Sequence, residues 1–280
     1  MNPEDEGRAA AERFREEHKL GVQPLGDLIT IIEECTGHDV AVLDAGPDEH
    51  GLTVHDPLRG SVIIGVARTP NPMRQRSTLG HELGHVVFAD WTGTHPRDWS
   101  EPTPQEERAR AFARHLLVPD QGLREFMAAR PGPGLADLSA IVQRFVVSPA
   151  VAAVALHRNG YVDRGLRNQW MALSTPQLAT RYGWSDHYRI LQADSQRRRA
   201  PQRLLARAIS GFQAGVVSAQ TIATLRGAPL AEVEQELRDA GITAAPLSVT
   251  FADPDDLPTV AVDLGELDEG PPDGSGTARE

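Results

Sequence analysis

Apolar positions along the chain fall into two repeating patterns, and the change from one to the other marks out the elements. Leu25, Leu28, Ile29 and Ile32 stand at i, i+3, i+4 and i+7, so Leu25 to Cys35 reads as a helix, with Gly37 just past its end as a stop. Residues 4 to 19 carry apolar positions too sparsely for more than a solvent-facing helix. Three runs rich in β-branched residues follow, Val40 to Leu43, Gly51 to His55 and Ser61 to Val66, separated by Gly, Pro and Asp turns. They predict a small antiparallel meander. Asn71-Pro72 breaks the chain, and helical spacing resumes from about Met73 to Phe88.

The linker from Ala89 to Pro104 holds Trp91, Trp99, His95 and three prolines, which excludes a regular element. Thr103-Pro104-Gln105-Glu106-Glu107 then supplies an N-cap, a proline at the first helical position and acids in the first turn. The helix it opens runs to Leu117 and is ended by Pro119. Two further helices cover about Gln121 to Ala129 and Leu135 to Phe145. Ala140 to Val162 and Thr221 to Thr243 resemble one another at an offset of 81 residues, pairing Ile141 with Ile222, Leu156 with Leu237 and Gly160 with Gly241. Each reads as a helix-turn-helix form. Direct nucleic-acid binding is not expected of either: Pro149 to His157 offers almost no positive side chain, and the second copy, LAEVEQELRDAG, is acidic.

Charge and composition narrow the picture further. With 39 acidic and 28 basic residues the formal net charge is -11, against the usual balance of a nucleic-acid-binding protein. The segment from Asp253 to Glu280 supplies -8 of this through nine carboxylates and Arg279. Its Pro, Gly and Asp content predicts disorder over the last fifteen or so residues. Between Arg181 and Arg207 the sign reverses, and the run Arg197-Arg198-Arg199 reads as a solvated helix face in preference to a docking surface. Cys35 alone excludes an internal disulfide framework and reads as a small apolar residue at a helix end. No span approaches the roughly 18 apolar residues of a membrane helix, and the acidic start MNPEDEGRAAAERF is unlike a secretory signal. A reducing cytoplasm is the expected compartment.

The candidate chemistry lies in Ser77-Thr78-Leu79-Gly80-His81-Glu82-Leu83-Gly84-His85, which contains His-Glu-x-x-His within an apolar helical pattern. One helical turn separates His81 from His85, so two imidazoles converge on one metal ion. Glu82 is rotated about 100° from His81, toward the water such a metal holds. A catalytic Zn²⁺ takes three protein ligands and keeps one position open. Glu106 is the best-placed third ligand, because Ala109, Phe112 and Ala113 share its helix face. Glu107, Asp90, Asp98, His95 and His115 are the other candidates. His115, nine positions on, is about 180° away around the helix and is expected at the surface. For oxyanion stabilisation His55, His95 and Tyr161 are available, while the four tryptophans read as core anchors.

HELGH followed by EERARAFARHLLVP resembles the ImmA/IrrE family of zinc metallopeptidases, whose second motif has the form E-x-x-A-x-x-F-A-x-x-L-L-x-P. Glu106, Ala109, Phe112, Ala113, Leu116, Leu117 and Pro119 carry the match, and the likeness extends over roughly residues 25 to 165. At Arg110 the chain departs from the acidic or amide residue the family often has. The resemblance implies an α+β fold with a zincin-like HExxH core and a small antiparallel sheet, followed by helix-turn-helix-like units. With the apolar pattern and composition outside the likeness, the expected division is an N-terminal extension over 1–24, a zinc metallopeptidase domain over 25–130, a helix-turn-helix-like segment over 131–166, a helical region over 167–245 and an acidic tail over 246–280. The resemblance further implies His81, His85 and Glu106 as Zn²⁺ ligands, Glu82 as general base, and a regulatory protein such as a helix-turn-helix transcriptional repressor as substrate. The competing expectation is a zinc-containing regulatory protein that docks a transcription factor without cleaving it.

Overall fold

A computed structural model describes residues 2–46, 51–90, 103–128, 130 and 132–246. The chain opens with helix α1 (Pro3–Glu17) and α2 (Leu28–Thr36), then strands β1 (Asp39–Leu43), β2 (Gly51–Asp56) and β3 (Ser61–Ala67). Helices α3 (Pro72–Val87), α4 (Pro104–Leu117), α5 (Asp120–Met127), α6 (Leu135–Phe145) and α7 (Pro149–Arg158) follow. The rest is helical: α8 (Arg164–Met171), α9 (Thr175–Arg181), α10 (Ser185–Ser195), α11 (Gln202–Gln213), α12 (Ala219–Arg226) and α13 (Leu230–Asp239). The class is therefore α+β. No helix among the described residues is long and apolar enough to cross a membrane. His95, Asp98, Trp91, Trp99 and the acidic tail lie outside the described residues.

The sheet is mixed, which corrects the expected antiparallel meander. Its order is β1-β3-β2, with β2 antiparallel and β1 parallel to β3. Ser61-Val-Ile-Ile-Gly-Val is the most apolar of the three runs and takes the centre, where Val62, Ile64 and Val66 are buried. A strand hydrogen-bonded on both edges profits most from apolar side chains on its covered face. Leu79, Leu83 and Met73 of α3 join Val40, Val42, Ile64 and Val66 in one core with Ile29 and Ile32 of α2. Trp170 and Trp184 are buried as core anchors, Trp184 donating its indole N–H to Ser139 at 3.0 Å.

Helix α1 is not the solvent-facing element that its composition suggests. Gly7, Ala10, Ala11 and Phe14 form one buried stripe, and a Cβ at Gly7 would lie 2.4 Å from the Arg108 carbonyl oxygen and 2.7 Å from the Phe112 amide nitrogen. Small residues thus let two helix backbones meet, and the stripe escapes a hydrophobicity count because it packs by shape. Phe14 closes the contact edge-on against Phe112, with ring centroids 6.0 Å apart. Buried Arg15 donates to the carbonyls of Gly21, Gln23 and Leu116. Burial pushes its pKa down to about 10.

The same interface corrects the expectation for His115, which is buried at 4% exposure. Helix α4 is covered on two sides, by α3 and by α1, so the face opposite Glu106 is not a solvent face. His115 Nε2 lies 2.9 Å from Glu4 Oε1 and its Nδ1 3.5 Å from Asp120. Glu4 also binds Arg114 at 2.8 Å and Arg158 at 3.0 Å. Burial lowers the His115 pKa, but hydrogen bonds to Asp120 and Glu4 outweigh it and raise the value. Burial likewise raises the Glu4 carboxyl, and His115, Arg114 and Arg158 outweigh that and lower it; Asp120 is held at about 2, chiefly by His115.

The signs then define a pH window. A raised histidine contributes stability below its unfolded value of about 6.5, and loses it as pH rises through the higher folded value. The depressed carboxylates contribute above their unfolded values near 4, and lose it as pH falls. The α1–α4 clasp is thus complete between about pH 4.5 and 6.5. Urea midpoints are expected to fall from pH 6.5 to 9 in the wild type and to fall less in His115→Gln. Parallel slopes in the two proteins would remove His115 from the clasp.

The arginine run is likewise not a helix face. Arg199 forms an antiparallel bridge with Val42, its amide and carbonyl both bonded at 3.2 and 2.9 Å, so the segment after α10 adds to the free edge of β1. Its side chain binds Asp27 at 2.7 Å and Thr30 at 2.8 Å, and Arg198 reaches Asp44 at 3.6 Å. The two related helical pairs, α6–α7 and α12–α13, share the same turn: a left-handed residue at Val146 (φ 51°) and at Gly227 (φ 63°), 81 positions apart. The second pair packs around its own small cluster of Ile222, Ala223, Val233 and Leu237.

Candidate metal centre

Helix α3 begins where Asn71 accepts the Arg74 amide at 3.1 Å and Pro72 occupies the first turn. Its periodicity buries Leu79, Gly80, Glu82, Leu83 and Gly84 and leaves His81 and His85 half-buried on an adjoining face. Helix α4 crosses over that face at very short range. A Cβ at Gly84 would lie 3.0 Å from Ala109 Cα, and one at Gly80 3.2 Å from Ala113 Cβ. This approach carries Glu106, one turn before Ala109, to the two histidines.

The three side chains meet closely. His81 Nε2 and His85 Nε2 are 3.1 Å apart, Glu106 Oε2 is 3.1 Å from His81 Nε2, and Glu106 Oε1 is 3.3 Å from His85 Nε2. All three residues offer a ligand atom within 4.8 Å of the others. For a tetrahedral ion with bonds of 2.0 to 2.2 Å the ligand atoms stand roughly 3.3 to 3.6 Å apart, and separations of 3.1, 3.1 and 3.3 Å come within a few tenths of an ångström of what a zinc-sized ion needs. Glu82 Oε1 is buried with no hydrogen-bond partner, which protein interiors rarely tolerate without an ion or water. The donor set of two imidazoles and a carboxylate suits the same ion. Burial would raise the Glu106 carboxyl, but His81 and His85 outweigh it and hold the group far below the carboxylate range. Glu107, one position on, is exposed.

Residues 34–157 match the family model of the IrrE N-terminal-like domain, Peptidase_M78. That segment belongs to the Peptidase_M78 family. The family is one of metallopeptidases, of the ImmA/IrrE type. A comparison with curated proteins finds no match.

Within the M78 domain, two further residues flank the cluster: Thr53, to which the sequence assigns no role, and Asp90, whose place differs from the one expected. Thr53 of β2 donates its hydroxyl to Glu82 Oε2 at 2.7 Å, fixing one oxygen of a carboxylate that is 1% exposed. Burial raises the Glu82 pKa; Thr53, His81 and His85 oppose this, and Glu106 adds to it. Asp90, a candidate third ligand, instead stands behind His85, its Oδ2 3.5 Å from Nδ1. Ala89 turns the chain back with φ 52°, and the Asp90 amide donates to the His85 carbonyl at 2.9 Å. Arg108 holds Asp90 there by a bidentate pair and covers the Phe88 ring at 4.5 Å. Carboxylates in this position set the tautomer and angle of a metal-binding imidazole. The sequence signal was the acid directly after the helix stop. Of the residues considered for oxyanion stabilisation, His55 stands on β2 and Tyr161 packs against the core beyond α7.

Proposed function

We propose that the M78 domain is a zinc-dependent endopeptidase with a zincin-like core, in which His81, His85 and Glu106 hold Zn²⁺ and Glu82 is the general base. The observation that carries this reading is the convergence of the three ligand atoms within 4.8 Å beside a buried carboxylate. Zinc, when bound, supplies a Lewis acid that polarises the scissile carbonyl and lowers the pKa of water toward neutrality.

The protein's own residues supply the rest. Thr53 engages Glu82 Oε2 and leaves Oε1 as the oxygen that accepts the proton of the attacking water. The same carboxyl then returns that proton to the departing amine. Strand β2 lies at a sheet edge, and its first residues lean on α3, with Gly51 packed against Thr78 and Glu82. An extended peptide adding to that edge brings its backbone to the cluster through main-chain hydrogen bonds. The substrate proposed is a cytoplasmic regulatory protein of the helix-turn-helix repressor class, on the strength of the family resemblance.

Metal analysis of the purified protein tests the ligand set. About one zinc per chain is expected, as for a site with three protein ligands and one open position, with loss in His81→Ala and Glu106→Ala and retention in Glu107→Ala. Zinc that survives Glu106→Ala but falls in Glu107→Ala would move the third ligand by one residue.

A further inference from the structure

The second helix of the first helix-turn-helix-like unit, α7, is apolar almost all round. Pro149, Ala152, Ala153 and Leu156 are buried in the core, while Ala150, Val151 and Val154 form a second, half-buried face. Its two basic side chains come only at the C-terminal end and are engaged within the protein: His157 Nδ1 lies 2.9 Å from the Val162 carbonyl, and Arg158 pairs with Glu4 at 3.0 Å. Such a helix is unsuited to phosphate or base contacts. Its second apolar face has a different neighbour.

That face is one wall of a cleft of about 270 Å³ whose other walls are α3 and α4. From α3 come Ser77 and His81, one turn apart, and from α4 Arg110, Ala113, Arg114 and Leu117, again one face. His81 belongs to both the cleft and the metal cluster. Whatever fills the cleft therefore abuts the reacting centre. The volume is just below the range of about 300 to 1,000 Å³ for whole small-molecule sites, which suits one side chain with its flanking backbone.

The walls also select a chemistry. Arg114 is committed to Glu4 at 2.8 Å and Arg110 lies 3.7 Å from Glu106, so each guanidinium already has a carboxylate beside it and offers no unmet charge to an entering side chain. A charged side chain of either sign would exchange water for Ala113, Leu117, Ala150 and Val154, and desolvating a charge against such walls is costly. We propose that this cleft is the subsite for an uncharged aliphatic or methionine side chain of the substrate, next to the scissile bond, with Ala150 and Val154 of α7 setting its size. The proposal rests on the peptidase reading above. It gives the helix-turn-helix-like unit a place in substrate selection.

Two measurements on the full chain test it. In the first, zinc-loaded protein is incubated with a randomised decapeptide mixture and the cut sites are read by mass spectrometry. Wild type is expected to select Leu, Ile, Val or Met at one position flanking the cut, by about ten- to 200-fold over Gly, the range one well-filled apolar pocket gives. Val154→Phe and Ala150→Leu, with zinc content unchanged, should shift that position to Gly and Ala, and Val154→Ala should admit Phe. In the second, Val and Ala methyl NMR signals of the Glu82→Gln protein are followed with N-acetyl-leucine amide, N-acetyl-glutamate amide and N-acetyl-lysine amide. Shifts centred on Ala150, Val151 and Val154 are expected with the leucine probe alone.

Cleavage with the same residue preference in wild type, Val154→Phe and Ala150→Leu overturns the subsite and leaves the peptidase standing, as does selection of an acidic or basic residue. Absence of cleavage by the wild type overturns the peptidase reading. The leucine probe then decides separately whether the cleft binds an aliphatic side chain, and unmoved α7 methyls overturn it.

Discussion

Glu82→Gln protein is expected to bind zinc as the wild type does and to cleave the randomised peptide mixture about 10²- to 10⁴-fold more slowly, the range for loss of a positioned acid–base group. In activation free energy this is about 3 to 5 kcal/mol. The amide keeps the size of the side chain and can still accept the Thr53 hydroxyl at the present 2.7 Å contact. It cannot take a proton from water. Zinc content separates this outcome from simple misfolding, because His81, His85 and Glu106 are untouched. Stability gives a second readout: the wild-type carboxylate is 1% exposed with Oε1 unpartnered, an arrangement that costs folding energy. The metal-free variant should therefore melt at or above the wild-type temperature, as when a residue is kept for chemistry at the expense of stability. Unchanged cleavage would remove Glu82 from the mechanism, and loss of zinc would make it a structural support of the metal cluster.

The sequence pointed to the meeting of His81, His85 and Glu106 because that geometry is local to two helices. His81 and His85 are one turn apart by helical arithmetic alone, and Thr103-Pro104 fixes where α4 starts and so which turn carries Glu106; the Thr103 hydroxyl indeed accepts the Glu106 amide at 3.2 Å. Long-range features were hidden for identifiable reasons. The Gly7, Ala10, Ala11 stripe docks by closeness of backbones, which leaves little trace in hydropathy. His115 was assigned to solvent on the assumption that a helix has one covered face, whereas α4 has two. In β2 the usual polarity is inverted: Leu52 and Val54 are exposed at 47% and 51%, while Gly51 and Thr53 face α3 and Glu82. The β-branched run predicted a strand correctly, but nothing in its composition marks the Gly51 and Thr53 face as the one that meets α3. The parallel pairing of β1 with β3 is likewise invisible locally, since three short apolar runs fit either order.

A second large effect is expected from Gly84→Ala, a change that touches no ligand. In the middle of an exposed helix it would add about 1 kcal/mol of helix propensity. Here the new methyl carbon would lie 3.0 Å from Ala109 Cα, 3.2 Å from the Ala109 carbonyl oxygen and 3.3 Å from its Cβ. Two of these are backbone atoms, so no rotamer change relieves the contact and α4 must move away from α3. Overpacking of this kind costs about 1 to 3 kcal/mol, which cancels or exceeds the propensity gain. The larger consequence falls on the metal. Glu106 is one turn from Ala109, and a shift of a few tenths of an ångström exceeds the roughly 0.2 Å tolerance of metal–ligand distances. Zinc affinity, measured by competition with a chelating indicator, is expected to fall by about ten- to a hundredfold, the loss seen when the support of a ligand is disturbed. Adding Ala109→Gly to Gly84→Ala removes only the 3.3 Å Cβ contact and leaves both backbone contacts, so it should restore little of the affinity while lowering thermal stability, since a helix-interior glycine costs about 1 kcal/mol. If Gly84→Ala alone binds zinc as tightly as the wild type, close packing of α3 on α4 does not set the position of Glu106. The glycine of HELGH then serves only the fold.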